Sequence, residues 1–372
     1  LGFGLNAGGE TLYFRNASNT RVLDAIRFGP QPLDMSSGRF PDGAAAFRLL
    51  AALSPDFPNR DLFLSKIVIN EIMYNPISRD NWDEYVELYN RGTNVVDLGG
   101  WRFTDGITYN FQPNTLLGPG GYLVVAQDAQ RLRSNYTHLN LTNCLGDFNG
   151  KLANGGERIV LRMPESIVNT NAQGQRVTNT AYVVVNEVTY GNGGRWGFWA
   201  DGGGSSLELK DPNSDNRLAA NWADSDETDK SLLLWTTIDY TNAPGLTLGT
   251  SNDRLMIWML DIGECLVDDV EVRNTAGASA NSVANGTFET GLTGWTLQGS
   301  HDMTSLETVG NGSSRSMHLR AASRGDNGPN RVYTALSPLT TGNVTLRAKV
   351  RWLRGWPEVL MWVDGGAYEV TG

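Results

Sequence analysis

Residues 67–101 read IVINEIMYNPISRDNWDEYVELYNRGTNVVDLGGW, and the fold of the chain turns on them. Two β-rich runs, Ile67–Tyr74 and Glu84–Asn90, flank a polar loop that contains a proline. In the second run Val86 and Leu88 alternate with Tyr85, Glu87 and Tyr89, the period of two expected of a half-buried strand. Arg91-Gly92-Thr93-Asn94 turns the chain before Val95–Leu98. Trp101 then follows a Gly-Gly pair, where a large ring can fold back across a β-sandwich core.

The surrounding sequence supports an all-β chain. Its 372 residues are enough for two or three domains. Its 43 glycines, with many Asn, Thr and Ser between short apolar runs, are the composition of strands joined by turns. No apolar helical stripe persists, and no run approaches the roughly 20 apolar residues of a membrane span. The net charge of −10 disfavours general binding to nucleic acid or anionic membrane. The charge is uneven, however. Residues 312–356 carry eight basic side chains against one acid, Asp326. The two cysteines, Cys144 and Cys265, have no CxxC partner and read as separate thiols. HExxH, GxSxG, Walker-type and dinucleotide glycine patterns are absent, and the chain reads as no enzyme. Glu71, Asp83, Glu84 and Glu87 gather around one hairpin, where paired acids could serve hydrolysis or bind a cation, but acids on a half-buried strand ordinarily face solvent.

An internal repeat organises the N-terminal half. Leu5-Asn6-Ala7-Gly8-Gly9-Glu10 matches Leu152-Ala153-Asn154-Gly155-Gly156-Glu157, and Leu12, Phe14 and Arg15 fall on Ile159, Leu161 and Arg162. After a longer loop in the second copy, Asp24–Gly29 lines up with Asn186–Gly191. Repetition of a whole structural unit accounts for this. Residues 1–59 then supply the C-terminal half of a unit whose other strands precede Leu1, and such a half-sandwich exposes its inner face. Residues 62–222 form the complete copy. Residues 165–181 lack periodicity and read as an exposed loop. Trp196, Phe198 and Trp199 either fold over a sandwich end, the preferred reading, or stand exposed to a partner.

Ile69-Asn70-Glu71-Ile72, Glu84–Asn90, Leu98-Gly99-Gly100-Trp101, Leu117–Tyr122, Leu152–Glu157 and Ser205–Glu208 occur in the order of the lamin tail domain, which the chain resembles over roughly residues 67–222. The resemblance implies an immunoglobulin-like β-sandwich of the kind found in large bacterial surface and secreted proteins. It implies no shared catalysis, because fold alone does not assign function.

Past the charged linker Asp224–Lys230, strands are expected at 231–240, 254–260 and 265–272. Val267-Asp268-Asp269-Val270-Glu271-Val272 is similar to the closing strand of jelly-roll carbohydrate-binding modules, and Asn285-Gly286-Thr287-Phe288-Glu289 with Gly294-Trp295 to their opening strand. The order is reversed. Two truncated modules, 231–272 and 285–372, abutting near residue 275 are therefore preferred over a single jelly roll. The resemblance implies a structural Ca²⁺ held by Asp268, Asp269, Asn285 and Glu289, if those residues can meet. It also directs attention to aromatic platforms for sugar: residues 295–362 provide Trp295, Tyr333, Trp352, Trp356 and Trp362, with Trp295, Tyr333 and Trp356 as candidates. On the run 346–352, Arg347, Lys349 and Arg351 share the face opposite Trp352 and read as an outward basic row, continued by Arg354, suited to acidic ligands.

Together these readings describe a non-catalytic adhesion, scaffolding or substrate-targeting segment of a large secreted or cell-surface bacterial protein. Its expected partner is an extracellular glycan or surface protein. The competing reading is an accessory segment of a kinase-like or hydrolytic enzyme lying outside these residues, contacting protein or nucleic acid through the basic row.

Overall fold

The computed structural model describes residues 3–170, 173–228, 234–241, 254–274, 280–337, 343–363 and 368–371. These fall into two compact units. One holds residues up to Asp224 except 76–78 and 198–205, and the other holds those two loops and the residues from Ser225 onward.

The first unit opens with β1 (Glu10–Arg15), β2 (Val22–Phe28), β3 (Ser36–Arg39) and β4 (Phe47–Leu50), paired as two antiparallel hairpins. Tyr13, Phe14 and Leu23 are exposed on them. A sandwich follows: β5 (Ile67–Met73), β6 (Tyr85–Asn90), β7 (Val96–Asp97), β8 (Arg102–Phe103), β9 (Ile107–Asn110), β10 (Leu116–Leu117), β11 (Tyr122–Ala126), helix α1 (Ala129–Asn135), β12 (Cys144–Leu145), β13 (Asn149–Gly150), β14 (Arg158–Thr170), β15 (Arg176–Thr189), β16 (Leu207–Leu209) and β17 (Trp222–Asp224). One sheet has the order β12-β11-β6-β5-β16-β17 and the facing one β13-β9-β8-β14-β15. Val86 and Leu88 are fully buried, as their alternation requires, along with Ile69, Ile72, Phe103, Ile159 and Leu161. Trp101 is only half-buried, and the indole sealed inside is Trp222, whose Nε1–H donates to the Asn216 carbonyl at 2.7 Å. Trp196 packs against that ring, with centroids 6.1 Å apart.

The turns at Gly9 and Gly156 have the same geometry. Their φ angles are +97° and +99°, and a Cβ on either would lie 2.4 Å from a carbonyl oxygen, of Phe28 and of Tyr190 respectively. Only glycine tolerates that approach. In both turns a glutamate reaches back four residues: the Asn6 N–H donates to Glu10 at 2.8 Å and the Ala153 N–H to Glu157 at 2.7 Å.

Residues 165–181 are mainly strand. β14 and β15 stay paired out to Thr170 and Arg176, beyond the reach of any third strand among the described residues. Among its described side chains, Ser166, Val168 and residues 173–180 are exposed, so a sequence reading finds little buried alternation there. The single α-helix among the described residues is fixed locally. Asp128 caps it by accepting the Arg131 N–H, and Ala129 and Leu132 pack on Tyr85, Val124 and Cys144.

The second unit contains β18 (Thr236–Thr241), β19 (Arg254–Met259), β20 (Gly263–Asn274), β21 (Trp295–Gln298), β22 (Ser305–Glu307), β23 (Ser316–Ala321), β24 (Arg331–Ala335), β25 (Val344–Gly355), β26 (Val359–Val363) and β27 (Tyr368–Thr371). Its sheets run β18-β25-β20-β23-β22 and β21-β24-β19-β26-β27. The segments 231–272 and 285–372, expected as separate truncated modules, therefore share both sheets. Their residues also fill one core, from Ile238 and Leu255 to Met317, Leu346 and Val363. The reason is positional. β20 lies mid-sheet and bonds on both sides to strands that come later in the chain, so motif order along the sequence misreports neighbourhood in space. Residues 231–233, 242–253, 275–279, 338–342, 364–367 and 372 of these segments lie outside the described residues.

Candidate ligand-binding faces

On β19 the side chains of Leu255, Ile257 and Met259 enter the core, which turns Arg254, Met256 and Trp258 to the opposite face of the sheet. The same alternation on β26 turns Leu360 and Trp362 outward and on β24 turns Arg331 and Tyr333 outward. Register then aligns them. Met256 stands opposite Tyr333 on one side and Trp362 on the other, and Trp258 stands opposite Leu360. The Trp258 and Trp362 rings meet edge to face at 6.0 Å. Tyr333 lies under two guanidinium groups, Arg254 at 5.7 Å and Arg331 at 5.4 Å. Arg331 itself donates to the Met256 sulfur and to the Asn327 carbonyl.

Trp258, Trp362 and Leu360 line an open cavity of about 410 Å³ together with Arg324, Asp326 and Asn327. Gly325 lies against Trp258, where an added Cβ would fall 2.4 Å from the Trp258 Cβ, and its N–H donates to the Met259 carbonyl. This pins the loop that brings the polar groups beside the rings. Met256 and Trp258 are nearly closed off, at 1% and 6% exposure, so the half-buried Trp362 ring is the flat apolar face set next to amide, carboxylate and guanidinium groups.

Of the residues expected to bind ligand, Tyr333 lies on this face. Trp356 is 45% exposed and lines a different cavity, of about 260 Å³, with Phe198 and Trp199. Trp295 is a core residue. It packs on Phe288 with centroids 5.4 Å apart and donates from Nε1 to the Asn285 carbonyl, so it is no platform.

The outward basic row does not exist as such. Arg351 is buried at 7% exposure, and Arg354 donates to Glu264 at 3.0 Å. Arg347 is exposed and Lys349 half-buried, held by Asp239 at 3.4 Å and the Thr237 hydroxyl at 2.6 Å. Glu264 gathers the rest of this sheet face, lying 2.8 Å from His318 Nε2 and 3.6 Å from Arg320. Burial opposes its charge, yet the hydrogen bond from His318 and the Arg354 guanidinium outweigh that and hold its pKa down at about 2.

Asp268, Asp269 and Glu289 come together around one loop but serve as clasps. Asp268 accepts from the Asn311 N–H, the Ser313 hydroxyl and the Asp269 N–H, and Asp269 accepts from the Asn311 amide. Glu289 takes the N–H groups of Ser314 and Arg315, and the Asn285 amide donates to the Gly291 and Thr293 carbonyls. Asp268, Asp269 and Glu289 thus accept from N–H and O–H donors, and Asn285 donates from its amide. No group of three or more His, Cys, Asp or Glu side chains among the described residues is arranged to hold a metal ion.

The acids of the first unit depart from the solvent-facing expectation. Glu84 is fully buried and accepts the Leu152 N–H at 2.7 Å, and burial raises its pKa to about 7. Glu87, opposite Glu71 across the strands, accepts from Asn70 at 3.0 Å, and burial with the nearby Glu71 charge raises it to about 8. Glu71 accepts from the Tyr85 and Ser206 hydroxyls, both at 2.5 Å. Asp83 and Asp80 share Arg131. Both cysteines are free and buried, and burial pushes the Cys265 thiol up to about 12, so it is inert at neutral pH.

Of the Trp258, Trp362 and Arg254 cluster, the sequence reading names Trp362 among the aromatics without choosing it, and passes over Trp258 and Arg254. The cluster's signal was available in Arg254-Leu255-Met256-Ile257-Trp258-Met259, where a charged residue and an indole occupy alternate positions of an otherwise apolar strand. No helix among the described residues is long and apolar enough to cross a membrane. No curated protein matches the chain. Residues 64–183 match the lamin tail domain family model, whose fold is an immunoglobulin-like β-sandwich, and the strands of the first unit that span those residues form such a sandwich.

Proposed function

We propose that the chain is a non-catalytic targeting segment whose second unit binds a glycan on the Trp258–Trp362–Tyr333 face. The observation that carries this reading is the row of Tyr333, Met256 and Trp362 across adjacent strands, beside the edge-to-face Trp258 ring and an open cavity with Arg324, Asp326 and Asn327. Sugar C–H faces stack on such rings, while the amide and charged groups meet the hydroxyls. A secreted or cell-surface bacterial setting, with the lamin-tail-like sandwich as a scaffold, suits this role. The competing role through a basic row loses its support, because two of its arginines, Arg351 and Arg354, are buried or ion-paired.

A neutral and acidic glycan array probed with the full chain tests the proposal. Trp362→Ala and Tyr333→Ala should each weaken the best hit about tenfold, the equivalent of about 1.4 kcal/mol, without lowering the thermal midpoint by more than a few degrees. Arg347→Gln should leave the signal unchanged. A chain that binds no glycan, or binds equally with both rings removed, overturns the proposal.

A further inference from the structure

Within the first unit, a cavity of about 230 Å³ lies among β2, β4, β15 and the loop around Asp215. Six arginines line it: Arg27, Arg48, Arg91, Arg158, Arg162 and Arg217. The lining acids are Glu187 and Asp215, in a chain whose net charge is −10. Both acids are already committed. Arg217 holds Asp215 at 2.8 Å and Arg158 holds Glu187 at 2.5 Å.

The other lining guanidinium groups, Arg27, Arg48, Arg91 and Arg162, share what charge remains, chiefly Asp215 and Asp211 near Arg91, Asp215 near Arg48, and Asp105, which also pairs with Arg158 at 2.8 Å. Arg91 donates to three neutral carbonyl oxygens, of Ser65 at 2.6 Å and of Pro212 and Ser214 at 3.0 Å. Its burial lowers the pKa, the mark of a cation held away from water. Arg162 donates to the Thr104 hydroxyl at 2.9 Å, and its nearest carboxylate, Asp105, is 3.8 Å away. Arg27 is exposed, and Arg48 is half-buried near Asp215. Guanidinium forks match the planar or tetrahedral oxyanions of carboxylates and sulfates. Gln31, Ser37 and Asn216 supply neutral polar groups on the same wall, and Phe28 and Phe63 supply apolar ones.

We propose that this cavity is a second binding site, independent of the aromatic face, and that it takes a carboxylate- or sulfate-bearing residue of an acidic oligosaccharide. Its volume lies below the roughly 300 Å³ where drug-sized pockets begin, which suits one charged sugar residue of a longer chain. The anion would neutralise the arginines that the two lining acids leave over.

Calorimetry on the full chain tests this, with a heparin-derived hexasaccharide, an oligogalacturonate hexamer and hexaglutamate as probes. At least one acidic hexasaccharide should bind, more weakly as NaCl rises. The two sugars distinguish sulfate from carboxylate. Arg27→Gln combined with Arg48→Gln should reduce that affinity at least tenfold at an unchanged thermal midpoint, while Arg347→Gln in the other unit leaves it intact. Should the double variant not fold, Arg27→Gln alone, at an exposed position, should still lower affinity at least threefold. Absence of binding by both sugars, an affinity indifferent to Arg27 and Arg48, or hexaglutamate binding as tightly with the same arginine dependence each overturns the proposal.

Discussion

Replacing Glu84 by Gln removes a charge from a site the first unit seals completely. The residue is 0% exposed, one oxygen accepts the Leu152 N–H at 2.7 Å, and the other has no hydrogen-bond partner. Burial raises its pKa from 4.5 to about 7. Since the folded value lies above the unfolded one, the stability linked to this group is complete below about 4.5 and is lost as pH rises through about 7. Each pH unit in that interval removes about 1.4 kcal/mol, and the whole loss comes to about 3 kcal/mol. Gln keeps a carbonyl to accept the Leu152 N–H and carries no charge at any pH. Its buried amide N–H groups replace a carboxyl O–H that equally lacks an acceptor, so at about pH 5 the variant should lie within about 1 kcal/mol of the parent. By about pH 8.5 the difference should have moved about 2–3 kcal/mol in the variant's favour. Urea denaturation of the full chain at both pH values, with the transitions of the two units resolved by fluorescence, measures this directly. A variant curve displaced from the parent by the same amount at both pH values, within about 0.5 kcal/mol, refutes the reasoning. It would mean that the native carboxylate keeps its water.

Two further predictions follow from local geometry. Gly156→Ala should destabilise the first unit by about 2–4 kcal/mol, because strain at positive φ adds to a backbone collision; Gly9→Ala repeats that geometry, and limited proteolysis should detect loosening of the β1–β2 hairpin. Glu264→Gln should cost the second unit about 2–4 kcal/mol at neutral pH by leaving Arg354 and His318 without their shared carboxylate. In the parent, Glu264 has a folded pKa below its unfolded one, so its contribution holds above about 4.5 and disappears as pH falls towards about 2. A variant whose acid transition matches the parent's would contradict that assignment.

Much of the fold was legible because binary pattern and turn chemistry act locally. Alternation in Tyr85–Asn90 placed Val86 and Leu88 inside, and the repeated Gly-Gly-Glu segments marked two turns that have the same geometry. What stayed hidden depends on partners distant in sequence. Trp295 looks the same on paper whether it stacks on sugar or on Phe288, and only the pairing of β21 with β24 sends it to the core. Arg351 alternates outward in the strand as expected, but that face is itself covered, which no period of two can reveal. Glu84, Glu71 and Glu87 were misjudged for the same reason, since burial of an acid is set by what later strands and loops bring over it, here Leu152 and Ser206. The aromatic face was missed by attending to tryptophans in turns, although a binding ring on a strand is held more rigidly than one on a loop.

The two units handle buried acids in opposite ways, and this bears on where the chain can work. In the first, Glu84 and Glu87 are taken from water with neutral hydrogen-bond donors and no hydrogen-bonded cation; the Lys151 charge near Glu84 falls short of its burial, so each prefers its proton and weakens the unit as pH climbs. In the second, Glu264 is also buried but meets His318, Arg354 and Arg320, so it prefers its charge and weakens the unit as pH drops. The difference lies in the company and not the depth of burial: a donor alone does not offset desolvation, whereas a guanidinium does. Both contributions are retained together around pH 4.5, Glu264's above it and those of Glu84 and Glu87 below it. Binding through arginines in the first unit persists across that range, because guanidinium groups do not titrate there. Loss of ligand at high pH would therefore report the sandwich loosening around Glu84 and Glu87, and loss at high salt would report the arginines themselves.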